Sequence, residues 1–242
     1  MITYRHLTKQ EEFDQVMRVQ QEIWGFADAE AIPKRLFLIA SKIGGQVIGA
    51  FDGARLVGYC FAIPGLKQGR ETYLHSHMTG VLPEYRNRRI GREIKLAQRQ
   101  DALRRGIRLI EWTFDPLELK NAHFNVERLG VIVRRYIPNN YGITTSKLHT
   151  GLPTDRCVAE WLLDHPRTEA ILAGEPRQRE LVEERIEIPL AIETLRRERM
   201  EEARAIQQEA GARFIDCFDR GLAVTGFERS DSAGTYLLSR WA

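Results

Sequence analysis

The chain has 242 residues, 43% hydrophobic and 29% charged, with 9 Pro and 19 Gly. This composition excludes collagenous, disordered and disulfide-stapled scaffolds and supplies a real core for one to two domains. The 36 basic and 33 acidic residues leave a net charge of only +3, too little for a dedicated nucleic-acid protein, and no apolar run reaches the roughly 18 residues of a spanning helix.

Ile2 to Leu7 alternates as a first strand, and Thr8-Lys9-Gln10-Glu11 reads as a capping box opening a helix with Phe13, Val16, Met17, Ile23 and Trp24 on its apolar face. Pro33 and Gly44 bracket a second helix. Gln46 to Phe51 and Arg55 to Ile63 form a hairpin about Asp52-Gly53, and Glu71 to Val81 is a third strand of this group. A helix starting at Asn87 or Arg88 carries Ile90, Ile94 and Ala97 on one face and ends at Gly106. Leu109 to Phe114 is a strand, Leu117 to Leu129 a helix stopped by Gly130, and Val131 to Tyr136 a strand. Beyond Gly151-Leu152-Pro153, Cys157 to Leu163 is one more strand and the segment to Arg179 a surface loop. Arg185 to Ile188 is a short strand and Ile192 to Ala210 a long helix stopped by Gly211. Strands at Arg213 to Phe218, Leu222 to Glu228 and Thr235 to Trp241 finish the chain.

Charge and cysteine usage sharpen this outline. Nine basic residues fall between Tyr85 and Arg108 (Arg86, Arg88, Arg89, Arg92, Lys95, Arg99, Arg104, Arg105, Arg108), while Glu175 to Glu202 is rich in Glu, as a solvated helix face would be. The basic stripe lacks interleaved aromatics, so no nucleic-acid partner is expected. Cys60, Cys157 and Cys217 are too few and too scattered for a disulfide framework or a cysteine zinc site, and Met1–His6 has no signal-peptide apolar stretch. A reduced, cytoplasmic protein without a membrane partner is expected.

Val81-Leu82-Pro83-Glu84-Tyr85-Arg86-Asn87-Arg88-Arg89-Ile90-Gly91 joins a strand to a helix N-terminus. Such a junction offers unpaired amides and a positive helix end to a phosphate, with arginines adding bidentate contacts. On the residues alone, a solvated basic turn is the alternative. The stretch resembles the signature of the GNAT acyltransferases, Val-x-Pro-x-Tyr/Phe-Arg running into Arg/Gln-x-x-Gly-x-Gly/Ala, and the resemblance covers roughly residues 2–148. It implies an α/β (α+β) GNAT-type acyl-CoA N-acyltransferase fold: a mixed, mostly antiparallel sheet in the order β-α-α-β-β-β-α-β-α-β. The implied domains are 1–150 for the acyltransferase and 151–242 for a C-terminal β-α-β-β-β extension, also found in a similar bacterial branch of the superfamily.

The cofactor implied is acetyl-CoA, or coenzyme A. Its pyrophosphate falls by resemblance to Arg86, Asn87, Arg88, Arg89, Ile90, Gly91 and Arg92, and its pantetheine arm to Met78, Thr79, Gly80 and Val81. Two positions depart from the family's glycines, Asn87 and Arg89, where a side chain restricts the backbone. Ala122 and Gly130 match the family's Asn-x-x-Ala-x-x-Leu-Tyr-x-x-x-Gly pattern, but Val126 stands where its tyrosine acid would be.

Acyl transfer to an amine needs a base for the ammonium proton and an acid for the departing thiolate. His75 stands eleven residues before Arg86, where histone-type relatives place a glutamate base, and His77 shares its face. Packing under the sheet is the alternative for either ring, and a metal held by both with Asp115 or His123 is a minor one. Tyr141 is the first choice for the acid and Tyr136 the second, each readable instead as a core or lid aromatic. Asp115 orients an amine or caps a helix ahead of Pro116. Asn121 and Asn125, four apart, bond pantetheine amides or lie on a helix surface. The expected function is acetyl transfer from acetyl-CoA to a primary amine of a small molecule or peptide. A catalytically inactive acyl-CoA-binding regulatory protein is the alternative. Apolar patterning leaves open whether the C-terminal segment completes the sheet, covers the acceptor cleft or forms a homodimer surface.

Overall fold

The structure is a computed structural model that describes residues 1–25, 31–67, 71–142, 151–175 and 180–241. The chain divides into two compact units, with the boundary between Glu111 and Trp112.

In the first unit, β1 (Ile2–His6) leads to α1 (Gln10–Trp24) and α2 (Lys34–Lys42), then to β2 (Gln46–Asp52), β3 (Arg55–Leu66) and β4 (Thr72–Val81). A 3₁₀ turn at Pro83–Tyr85 precedes α3 (Ile90–Arg104), and β5 (Leu109–Phe114) crosses the boundary. The capping box of α1 sits one residue later than its sequence suggested. Glu12, not Glu11, takes the amides of Thr8 at 2.8 Å and Lys9 at 3.1 Å. The hairpin turns at Gly53, φ 59°, as the Asp-Gly pair predicts. Strands β1 to β4 pair antiparallel in chain order, and β4 then pairs with β5 in parallel. The core between helices and sheet is built from Phe13, Val16, Phe37, Phe51, Tyr59, Phe61 and Ile94, all buried. The sequence also reads as a Gly/Lys/Gln loop ahead of the strand from Glu71, and that stretch lies partly outside the described residues.

The second unit takes α4 (Leu119–His123), which runs into one π-helical turn at Phe124–Arg128, then β6 (Ile132–Ile137), β7 (Arg156–Leu162) and α5 (Pro166–Ala173). β8 (Glu184–Pro189), α6 (Ile192–Glu198), α7 (Met200–Asp219), β9 (Leu222–Arg229) and β10 (Ala233–Arg240) follow. Its strands run in the order β7-β6-β9-β10-β8, antiparallel throughout. Phe214, Phe227 and Tyr236 pack edge to face in its core, and the buried Trp161 indole donates to the Leu129 carbonyl at 2.7 Å.

Three readings of this unit are corrected. The expected loop to Arg179 contains α5, whose cap His165 accepts the Arg167 amide on Nδ1, with Pro166 at its first position and Gly174 left-handed at its end. The single long helix breaks at Arg199 and resumes as α7, which passes through Gly211 to Asp219, so the strand expected at Arg213 to Phe218 is helix. Gly211 is no stop signal here. A Cβ there would lie 2.7 Å from the Tyr136 hydroxyl, so glycine is required by close packing. The expected helix over Leu117 to Leu129 starts later, at Leu119, because Asp115 Oδ1 first takes the Leu117 amide in a turn.

Candidate active site

The turn between β4 and α3 is fastened to the β2–β3 hairpin. The Tyr85 hydroxyl donates to Asp52 at 2.9 Å, Arg55 pairs with Glu84 at 2.6 Å, and Arg88 lies over the Tyr85 ring at 5.0 Å. Within it Asn87 and Arg89 both adopt φ 62°, the left-handed conformation that glycine adopts freely. The two departures from the glycine pattern therefore leave the backbone in a glycine-like path. Arg89 is the N-cap of α3, and the amides of Ile90 and Gly91 point out of the helix start with no carbonyl one turn earlier to receive them. A Cβ on Gly91 would meet only Val81 Cγ2, at 3.9 Å, so a small group fits beside Gly91. Arg86, Arg88 and Arg89 are exposed around it. The turn has the donors, the positive helix end and the room that a phosphate group needs.

Along β4 the pairing with β3 runs the full strand to Val81, but β5 meets it only at Leu74↔Ile110 and His75↔Glu111. From Ser76 onward β4 pairs, among the described residues, with β3 alone, and such an edge is one that an extended ligand can join by main-chain hydrogen bonds. Met78, Thr79, Gly80 and Val81 lie on this stretch. Arg86 Nε donates to the Val81 carbonyl at 3.3 Å. Gly80 is fixed by packing: a Cβ there would lie 2.5 Å from the Trp24 ring.

His75 stands where the β5 pairing ends, and the register against β3 slips by one residue at His77, a β-bulge. The two rings are 6.1 Å apart, and His77 meets Phe61 edge-on. Burial lowers the His75 pKa, with the Glu111 carboxylate opposing and Lys95 adding to the shift. Glu111 is buried and ion-paired with Lys67. A neutral imidazole at neutral pH is a base ready to accept a proton. No group of three or more His, Cys, Asp or Glu able to hold a metal occurs among the described residues.

Lys95, one of the nine basic residues between Tyr85 and Arg108, points inward. Lys95, Gln98 and Asp101 are all buried on the inner face of α3, beside Ile94 and Ala102. Polar residues at i, i+3 and i+6 within an apolar stripe were the signal available. Lys95 Nζ donates to Ser76 Oγ at 3.2 Å and Gln98 Oε1 at 2.6 Å, while Gln46 Nε2 donates to Asp101 at 2.8 Å.

The remaining candidates belong to the second unit. Asp115 is engaged twice: Oδ1 takes the Leu117 amide at 2.8 Å and Oδ2 takes Arg196 at 2.6 Å, so its observed role is capping and ion pairing. Tyr141 is 46% exposed and shares a 2.9 Å hydrogen bond with Thr113, with Arg156 over its ring at 5.3 Å. Tyr136 donates to Asp155 at 2.5 Å, and burial followed by this bond raises its pKa. Asn121 is exposed on α4, whereas Asn125 is buried in the π-turn, its side-chain Nδ2 lacking a partner among the described residues and its main-chain carbonyl accepting from the Val131 amide at 3.1 Å. Val126 beside it is fully buried.

No curated protein matches the chain by sequence. Among solved structures, the ribosomal-protein-S18-alanine N-acetyltransferase of Escherichia coli superposes with TM-score 0.53 at 14% identity, over 68% of this chain and 96% of that one. Arabidopsis thaliana NAA60 in complex with acetyl-CoA gives 0.53 at 13%, over 67% and 99%. Arabidopsis thaliana Naa50, bound to the bisubstrate analogue CoA-Ac-MVNAL, gives 0.50 at 14%, over 66% and 97%. At these identities the likeness is one of fold. The model of the acetyltransferase (GNAT) family matches residues 10–131, half of the chain, and the chain belongs to that family.

Proposed function

We propose that the protein transfers an acetyl group from acetyl-CoA to a primary amine of a small molecule or peptide, by direct attack. The observation that carries this reading is the left-handed pair Asn87 and Arg89, which keeps the turn before α3 open to phosphate despite the loss of two glycines. The exposed amides and arginines of residues 86–92 hold the phosphates, and the β4 edge from Met78 to Val81 receives the pantetheine arm. Bound acetyl-CoA supplies the activated acyl group. His75 takes the proton of the acceptor ammonium, so that the amine lone pair forms the C–N bond as the C–S bond breaks. Tyr141, half-exposed and hydrogen-bonded to Thr113, is the donor we assign to the departing thiolate. That solved relatives by fold carry acetyl-CoA or a peptide bisubstrate analogue supports this choice of cofactor and acceptor.

A second reading, an acyl-CoA-binding protein without turnover, is favoured by one observation: Val126, buried in the π-turn, offers no hydroxyl where the family pattern has tyrosine. Calorimetric titration with acetyl-CoA and with 3′-dephospho-CoA, followed by thiol release over an amine panel, decides between them. Binding with turnover that Tyr141→Phe and His75→Gln each reduce supports the enzyme. Binding without turnover on any amine supports the second reading, and absence of binding overturns both.

A further inference from the structure

Lys95 has no place in the chemistry above, yet its position is unusual. It sits six residues into α3, about 7.5 Å of helix rise from the first turn, on the side that faces the sheet. Only 3% of it is exposed. Its ammonium donates to two neutral oxygens, Ser76 Oγ at 3.2 Å and Gln98 Oε1 at 2.6 Å, and Ser76 lies between His75 and His77 on the strand whose edge receives the cofactor. The contact therefore ties the cofactor helix to the cofactor strand from beneath.

We propose that Lys95 couples acyl-CoA binding to the uptake of a proton: its buried ammonium, under the first turns of α3 and tied to Ser76, is the form that the bound phosphates favour. This rests on the cofactor reading above. A cation in a water-poor interior interacts across several ångströms with an anion at the helix start, because little solvent intervenes. Binding of the anion then raises the affinity of Lys95 for its proton, and by linkage protonated Lys95 raises the affinity for the anion.

The neighbourhood allows this titration near neutral pH. Ser76 of β4 and Gln98 of α3 accept from the ammonium, Cys60 of β3 and His75 of β4 lie within electrostatic reach of it, and Gln46 of β2 donates to the Gln98 carbonyl and to Asp101. Asp101 is already held by Arg105 at 3.0 Å, by Arg104 at 3.4 Å and by His6 of β1 at 3.1 Å, and its carboxyl is lowered to about 2. Burial brings Lys95 down to about 7, while burial lifts the Cys60 thiol to about 11 and keeps it neutral near pH 7. His75 and His77 are both lowered by burial, so above neutrality they stay uncharged and do not mimic the effect.

Acetyl-CoA titrations between about pH 7 and pH 9, each in two buffers of different ionisation enthalpy, count the protons taken up. The wild type should take up a fraction of a proton per acetyl-CoA and lose about tenfold in affinity across the range. Lys95→Met should take up none of that fraction and bind with a flat pH profile. Ser76→Ala, which removes one acceptor of the ammonium and keeps the lysine, should shift the wild-type profile to lower pH, and it carries the test should Lys95→Met fail to fold. Equal proton uptake in wild type and Lys95→Met, or an unmoved profile in Ser76→Ala, overturns the coupling and leaves the cofactor site standing. Failure of the wild type to bind acetyl-CoA at any pH overturns both.

Discussion

Asn87 and Arg89, two residues apart in the turn before α3, hold the same left-handed conformation, φ 62° each. Asparagine tolerates this region, whereas an arginine there costs about 1 kcal/mol. Arg89→Gly should therefore raise stability in denaturant titration by about 1 kcal/mol, more than Asn87→Gly does. Gly91→Ala gives the complementary outcome. Its Cβ meets only Val81 Cγ2 at 3.9 Å, so the fold accepts it, but the methyl group intrudes on the open space over the helix start. Thermal melting should be unchanged or improved while acetyl-CoA affinity drops about tenfold or more. Undiminished affinity in calorimetry would place the phosphates elsewhere.

As the proposed base, His75 should set the acid limb of the rate. Burial lowers its pKa and outweighs the opposing Glu111 carboxylate, so kcat/KM should fall only below the ordinary imidazole range near 6.5. Glu111→Gln removes the group that opposes the shift and should move the limb lower still. His75→Gln should abolish the limb and cost about 100-fold or more in kcat/KM, with acetyl-CoA affinity unchanged by calorimetry. An acid limb that survives in His75→Gln would assign the base to another residue.

The first unit was legible because its signals are local. Asp52-Gly53 marks the hairpin, Pro33 and Gly44 bracket the second helix, and the turn before α3 carries the family signature in its own sequence. What escaped depends on contacts distant in sequence. Gly211 reads as a helix stop until Tyr136 is seen against it, 75 positions earlier in the chain. Lys95 reads as one more surface charge until Ser76, from another strand, is seen taking its hydrogen bond. Asp115 offered two roles from sequence, and Arg196 of α6 is the partner that reveals the structural one. The left-handed state of Arg89 is signalled only by the family glycine that it replaces, since arginine itself seldom marks that conformation.

Lys95 also carries a stability cost with a definite sign. In the unfolded chain it titrates near its ordinary 10.5, and in the folded protein near 7. Between these values the unfolded state binds more protons, so stability rises with pH across the window. Below it both states are protonated and the full cost of the buried charge is present. Lys95→Met should flatten this rise, and its largest stabilisation over wild type should come at or below neutral pH. Denaturant midpoints measured at about pH 6, 8 and 10 give the test. A Lys95→Met variant that keeps the wild-type slope would show that the ammonium is not the group responsible.

Arg196 should prove the most sensitive position of the second unit. Its guanidinium, nearly buried, holds Asp115 at 2.6 Å and Glu118 at 2.8 Å, and thereby pins α6 to the turn that starts α4. The Glu118 side chain is 44% exposed and that of Asp115 only 10%, so the two halves of the contact differ in worth. Arg196→Met leaves Asp115 as an uncompensated buried charge and should cost about 3–5 kcal/mol. Glu118→Gln, with water available, should cost about 1 kcal/mol or less. Asp115→Asn placed on Arg196→Met removes the stranded charge, and the double variant should be more stable than Arg196→Met alone. If the second substitution instead adds a further loss, Asp115 contributes chiefly through the Leu117 amide, and the arginine stabilises the unit by packing rather than by charge.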